Sequence, residues 1–95
     1  MRVIGINLIE EYSKKHPDAA GSLSAWKEEA EQAMWRKPLD IKQKYVKASI
    51  INARRVIFNI RGNDYRLDAA VAYQTGIVQV MRIGTHLEYN AWKFE

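Results

Sequence analysis

Apolar residues recur along this chain with two different periods. In the first third, Leu8, Ile9 and Tyr12 fall on one side of a short stretch, and Leu23, Trp26, Ala30, Ala33 and Met34 follow at three- and four-residue steps. That spacing draws one apolar stripe on an α-helix, with Lys27, Glu28, Glu29, Glu31 and Gln32 on the opposite side. Asn7 is the expected N-cap of a first helix, with Glu10 three residues on in capping-box spacing, and Pro17 ends it. Asp18 is placed to cap a second helix, which Gly21 weakens slightly and which should stop near Lys37, before Pro38. Trp26 and Trp35 lie on opposite sides of an ideal helix, so one of them is expected outside the core as an anchor for a protein partner. Residues 38–53, with Lys42, Lys44 and Lys47, read as an irregular connection.

From Arg54 the period becomes two. Runs over residues 55–60, 65–73 and 77–83 are separated by Gly62-Asn63 and by Gln74-Thr75-Gly76, which are hairpin signals. Arg2 to Gly5 allows a short strand at the start. Thr85 is placed to cap a last helix beginning at His86 or Leu87, with Glu88 at its third position. The expected fold is α+β: two N-terminal helices packed on a small antiparallel sheet, a three-stranded meander plus the N-terminal strand, with a short C-terminal helix.

A two-residue Gly62-Asn63 turn pairs Ile60 with Tyr65, Asn59 with Arg66 and Phe58 with Leu67. Val56, Phe58, Ile60, Tyr65, Leu67 and Ala69 then face the helices, and Asn59, Arg61, Arg66 and Asp68 face the other way. A three-residue second turn sets Asp68 opposite Arg82 and Arg66 opposite Gly84, which delivers His86 to the neighbourhood of Arg66. A one-residue slip would reverse the faces.

Composition narrows the chemistry. At 95 residues, with 47% hydrophobic positions, three Trp and five Tyr, residues 1–95 read as one domain with a core that needs no staples. The absence of cysteine removes disulfides, zinc-thiolate sites and a thiol nucleophile, and suits a reducing cytoplasm. No acidic or histidine cluster has metal-ligand spacing, so neither metal nor cofactor is expected. The apolar runs are too short to span a bilayer, and Glu10 and Glu11 interrupt any signal-peptide core, so a cytoplasmic protein without membrane contact is expected. The net charge is +4, and it is uneven: residues 46–95 carry seven basic and four acidic side chains, against eight and seven in residues 1–45. A basic second half suits a polyanionic partner.

The stretch Arg55-Val-Ile-Phe-Asn-Ile-Arg-Gly-Asn-Asp-Tyr-Arg-Leu67, followed by Gly84-Thr-His-Leu-Glu-Tyr89, resembles the HigB family of type II toxins, within the wider RelE-like group of small endoribonucleases. His16-Pro-Asp18 leading into a Trp-bearing amphipathic helix is similar as well. The resemblance runs over nearly the whole chain. It implies a RelE-like fold, cleavage of messenger RNA on the translating ribosome, and neutralisation by a HigA-type antitoxin with a helix-turn-helix domain, so that DNA is met only through the antitoxin. Two positions depart from the family: Asp68 where the strand usually continues apolar, and Asn90 where Glu-Tyr is usually followed by Asp.

Metal-free RNA cleavage needs a base for the ribose 2′-hydroxyl, an acid for the leaving 5′ oxygen and a cation for the phosphoryl oxygens. Arg66 is the first choice for the cation, since a guanidinium stays charged and its planar fork matches phosphate. His86 is a candidate acid or base, and Tyr89, three residues on, a proton donor or a ring for a base to stack on. Arg61, Arg82, Lys93 and Asn59 are candidate RNA contacts, with Asp68 equally able to hold Arg82 as a structural pair. Asn59 is placed to orient Arg66, Trp92 to pack on the sheet and Asn63 to serve the turn, while His16 is assigned no chemistry. Two other readings share this scaffold: a non-catalytic RNA- or ribosome-binding module, and an inactive relative acting through its antitoxin.

Overall fold

Strand alternation sorts the second half of the chain into one face for the helices and one face left open. The computed structural model describes residues 1–94. Along them run β1 (Arg2–Ile4), α1 (Ile6–Lys15), α2 (Pro17–Gln32), α3 (Pro38–Lys44), β2 (Ser49–Ile50), β3 (Arg55–Ile60), β4 (Tyr65–Ala72), β5 (Ile77–Thr85) and α4 (His86–Tyr89). The strands form one sheet in the order β1-β5-β4-β3-β2. Its meander is antiparallel, but β1 joins β5 in parallel, with Val3 beside Val78. The sheet is therefore five-stranded and mixed, where a smaller antiparallel one was expected.

The expected core face is correct. Val56, Phe58, Ile60, Tyr65, Leu67 and Ala69 all join a buried cluster with Leu23, Trp26, Ala30 and Ile41. Phe58 is its centre: Trp26 meets it edge-on at 5.2 Å, Trp35 stacks on it at 5.8 Å, and Tyr45 meets it edge-on at 5.1 Å. Both tryptophans are thus buried, and neither is an exposed anchor. The helical-wheel argument fails because α2 ends at Gln32 rather than near Lys37, and Ala33 is extended (ψ 156°). Trp35 has left the wheel and turns inward.

The helix starts differ too. Gly5, not Asn7, caps α1, with φ +84°; a Cβ there would lie 2.7 Å from the Val80 carbonyl oxygen. Asn7 sits inside the first turn. His16 closes α1 and opens α2, with Pro17 at N1, where its missing N–H costs nothing. Asp18 is in the first turn of α2 and caps nothing; its carboxylate accepts from the Tyr65 hydroxyl at 2.7 Å and from Arg61 at 3.2 Å.

Residues 38–53 are irregular only in part, since they contain α3 and β2. Pro38 opens α3, the Asp40 carboxylate accepts the Arg36 and Lys37 backbone N–H groups at 2.9 and 3.3 Å, and Ile41 is fully buried. Ser49 and Ile50 then pair with Ile57 and Val56 at the sheet edge.

Both hairpin loops hold four residues. In residues 61–64 the left-handed positions are Arg61 (φ 51°) and Gly62 (φ 65°), not Gly62 and Asn63, yet Ile60 still pairs with Tyr65. Residues 73–76 form the second, one longer than expected. Ala69 pairs with Val80 and Asp68 with Arg82, so Met81 is an extra, bulged residue. The longer loop and the bulge offset each other, and Arg66 lies opposite Gly84 as the register required.

Candidate functional site

The open face of the sheet carries Arg55, Ile57 and Asn59 from β3, Arg66 and Asp68 from β4, and Arg82 and Gly84 from β5. Across its lower edge lie α4 and the residues after it. Thr85 accepts from the Glu88 backbone N–H at 3.1 Å and the Glu88 carboxylate accepts from the Thr85 N–H at 2.9 Å, the capping box expected there. The His86 N–H donates to the Asp64 carbonyl at 3.0 Å, tying the start of α4 to the first hairpin loop. Gly84 leaves space for the Trp92 side chain: a Cβ on it would come 2.7 Å from that ring. Trp92 packs on the sheet as expected, and Tyr89 meets its ring edge-on at 5.6 Å.

Arg66 is the most enclosed cation of this face, 7% exposed. Its guanidinium donates to the Asn63 carbonyl at 2.8 Å and the Tyr65 carbonyl at 3.2 Å, and lies 5.4 Å from the Tyr89 ring centroid, within cation–π range. No ion pair among the described residues includes it. Asn59 stands opposite Arg66 across the strands with no hydrogen bond between them; it donates to the Asn63 side chain at 3.0 Å, whose backbone carbonyl holds Arg66. The Asn63 side chain and carbonyl thus link the turn to the site. His86 is exposed and Tyr89 half-buried beside Arg66.

Arg82 is engaged in a pair, as the Asp68 alternative allowed. The Asp68 carboxylate is wholly buried and accepts from Arg82 Nε at 2.9 Å. It also takes Arg55, through Nε at 3.0 Å and a second guanidinium contact. Asp68 beside Arg55 raises that guanidinium's already high pKa further. The departure at Asp68 is thus answered by two arginines. Arg55 is a site residue that the sequence pattern did not single out, although it shares the parity of Asn59 and so the open face. Arg82 further donates to the Lys93 carbonyl at 3.3 Å and lies 4.4 Å from the Trp92 ring. The Lys93 side chain is exposed, and Arg61, half-exposed, is held by Asp18 and Asp64.

On the helix side, His16 stacks on Tyr12 at 4.3 Å and Tyr65 meets both rings edge-on. Burial, then the charge of Glu88, pushes the Tyr12 hydroxyl up to about 12. The Tyr65 hydroxyl holds Asp18 below the usual carboxylate range.

Among the described residues, no three His, Asp or Glu side chains gather closely enough to hold a metal ion, and no helix is long and apolar enough to cross a membrane. A family model described as HigB_toxin, the RelE-like toxic component of a toxin-antitoxin system, matches residues 19–92. No curated protein matches the chain significantly.

Proposed function

The chain belongs to the HigB family of RelE-like toxins, the toxic components of toxin-antitoxin systems, and from that premise we propose that it is an endoribonuclease that cuts messenger RNA on the translating ribosome. The observation that carries this reading is Arg66, a guanidinium 7% exposed, fixed by two carbonyls and a ring and, among the described residues, paired with no carboxylate. An enclosed cation without an anion is costly, and an RNA phosphodiester supplies that anion in the bidentate geometry a guanidinium favours. In the reaction the 2′-oxygen bonds to phosphorus as its proton passes to a base, and the bond to O5′ breaks as an acid protonates it. The products are a 2′,3′-cyclic phosphate and a 5′-hydroxyl. His86 and Tyr89, both on α4, divide the two proton transfers, with the Tyr89 ring 5.4 Å from the Arg66 guanidinium; Arg61, Arg82 and Lys93 hold flanking RNA, and Asn59 acts through Asn63. Membership of the family implies an antitoxin partner, and we assign it to the HigA type.

The test is to map RNA ends in cells after brief induction of wild type and Arg66→Gln. Wild type should arrest growth, relieved by the co-expressed antitoxin, and leave cuts within translated message. Arg66→Gln should lower cleavage about 10²–10³-fold, the cost of losing one preorganised donor to a developing anion, with ribosome binding largely kept. Wild-type protein that never cleaves ribosome-bound message sinks the proposal and leaves a binding role.

A further inference from the structure

Beside Arg66 the open face holds a second cationic feature. Arg55, Met81, Arg82 and Lys93 line a notch of about 370 Å³, with the wholly buried Asp68 between the two arginines. Among the described residues, three cations stand against one carboxylate, an excess of two positive charges. A guanidinium has five N–H donors. Arg55 spends two on Asp68, and Arg82 spends one on Asp68 and one on the Lys93 carbonyl. Among the described residues the other donors of both have no hydrogen-bond partner, and both heads keep solvent access, with side chains 26% and 35% exposed. Their planes are fixed: Phe94 lies 5.6 Å from Arg55 and 5.2 Å from Arg82, with Trp92 at 4.4 Å from Arg82. Such a pair is held ready for an anion and is not there only to satisfy Asp68, for which one arginine would serve. Asp68 stands two residues from Arg66 on the same face of β4, roughly 7 Å away at strand rise, a step comparable to that between neighbouring phosphates of one RNA strand.

Resting on the ribonuclease reading, we propose that this notch is a second phosphate subsite, formed by Arg55, Arg82 and Lys93 over Asp68, which takes the phosphodiester next to the one held at Arg66. The grip on two successive phosphates sets the direction in which the strand crosses the site. Arg55 is thereby an RNA-binding residue.

The experiment uses the full chain and a non-cleavable 2′-fluoro trinucleotide with two phosphodiesters, together with two versions in which one or the other is a neutral methylphosphonate. Affinity is measured over a salt series. Each phosphate contact should add about 0.7 to the slope of log affinity against log salt. Wild type should lose that increment with either methylphosphonate. Arg55→Gln should start with the lower slope and be indifferent to one of the two replacements, and Lys93→Gln, at an exposed side chain remote from the core, should do the same. Arg66→Gln should be indifferent to the other. If the variants of Arg55 and Lys93 keep the wild-type response to both replacements while Arg66→Gln does not, the subsite is refuted and the ribonuclease reading stands. If the trinucleotide binds with no dependence on either phosphate or on Arg66, both fail. Intact RNA binding by Arg55→Gln with lost antitoxin binding also overturns the subsite, in favour of a protein carboxylate as its occupant.

Discussion

A carboxylate with no exposed surface is stable as an anion only while its cations stay. Asp68 keeps two, and removing it would leave Arg55 and Arg82 to re-solvate through heads already part-exposed. Asp68→Ala should therefore cost about 3 kcal/mol, the lower end for breaking a buried pair, read as a lower urea midpoint at unchanged slope. Tyr12 offers a test by pH. Its hydroxyl is raised in the fold to about 12, by burial first, so the neutral form contributes stability that is fully present below the unfolded value of ~10 and lost as pH rises toward 12. Wild-type absorbance titration minus that of Tyr12→Phe should show an ionisation centred near 12; one near 10 would mean the ring is solvated. The Asp68–Arg82 pair was legible from register alone. Arg55 was not singled out because its partner lies diagonally, with Asp68 directly opposite Ile57.

Short elements gave the clearest and the poorest signals. The four-residue α4 was marked by its Thr85–Glu88 box, whereas α3, at seven residues, is too short for periodicity and was marked only by Pro38 and Asp40. Thr85→Ala should cost about 1 kcal/mol, as for other N-caps, and slow the proposed RNA cleavage, because α4 carries the proposed proton-transfer groups His86 and Tyr89. Gly84→Ala should do more. Its methyl would strike Trp92 and crowd Glu88 Cβ at 3.2 Å, forcing α4 off the sheet at about 1–3 kcal/mol. A change in Trp92 emission with unaltered far-ultraviolet dichroism is the expected signature; an unmoved spectrum would show that the sheet itself yields.

At the scale of the molecule, β4 is flanked by β3 and β5 and buries Leu67, Ala69 and Val71 in the core, while the short α4 packs on β4 and β5. Native-state hydrogen exchange should find the β4 amides slowest and those of α4 among the fastest; equal protection would contradict a site docked on a firmer sheet. The α+β architecture was readable from the change of period at Arg54, since amphipathic patterns record which face is buried. The parallel seat of β1 was not, because three residues carry no sign of their neighbour. One further feature was written in the chain. Val78, Val80 and Ile83 all turn to the helix side, and the step of three from Val80 to Ile83 demands an extra residue, Met81. Bulges add twist where they sit, so position and aim have separate causes here. Without Met81, alternation over Val80, Arg82 and Ile83 would be unbroken, and Arg82 would still stand opposite Asp68. A protein lacking that single residue should keep its melting temperature within a few degrees yet cut RNA poorly, its guanidinium groups correctly addressed but pointing along the wrong bearing.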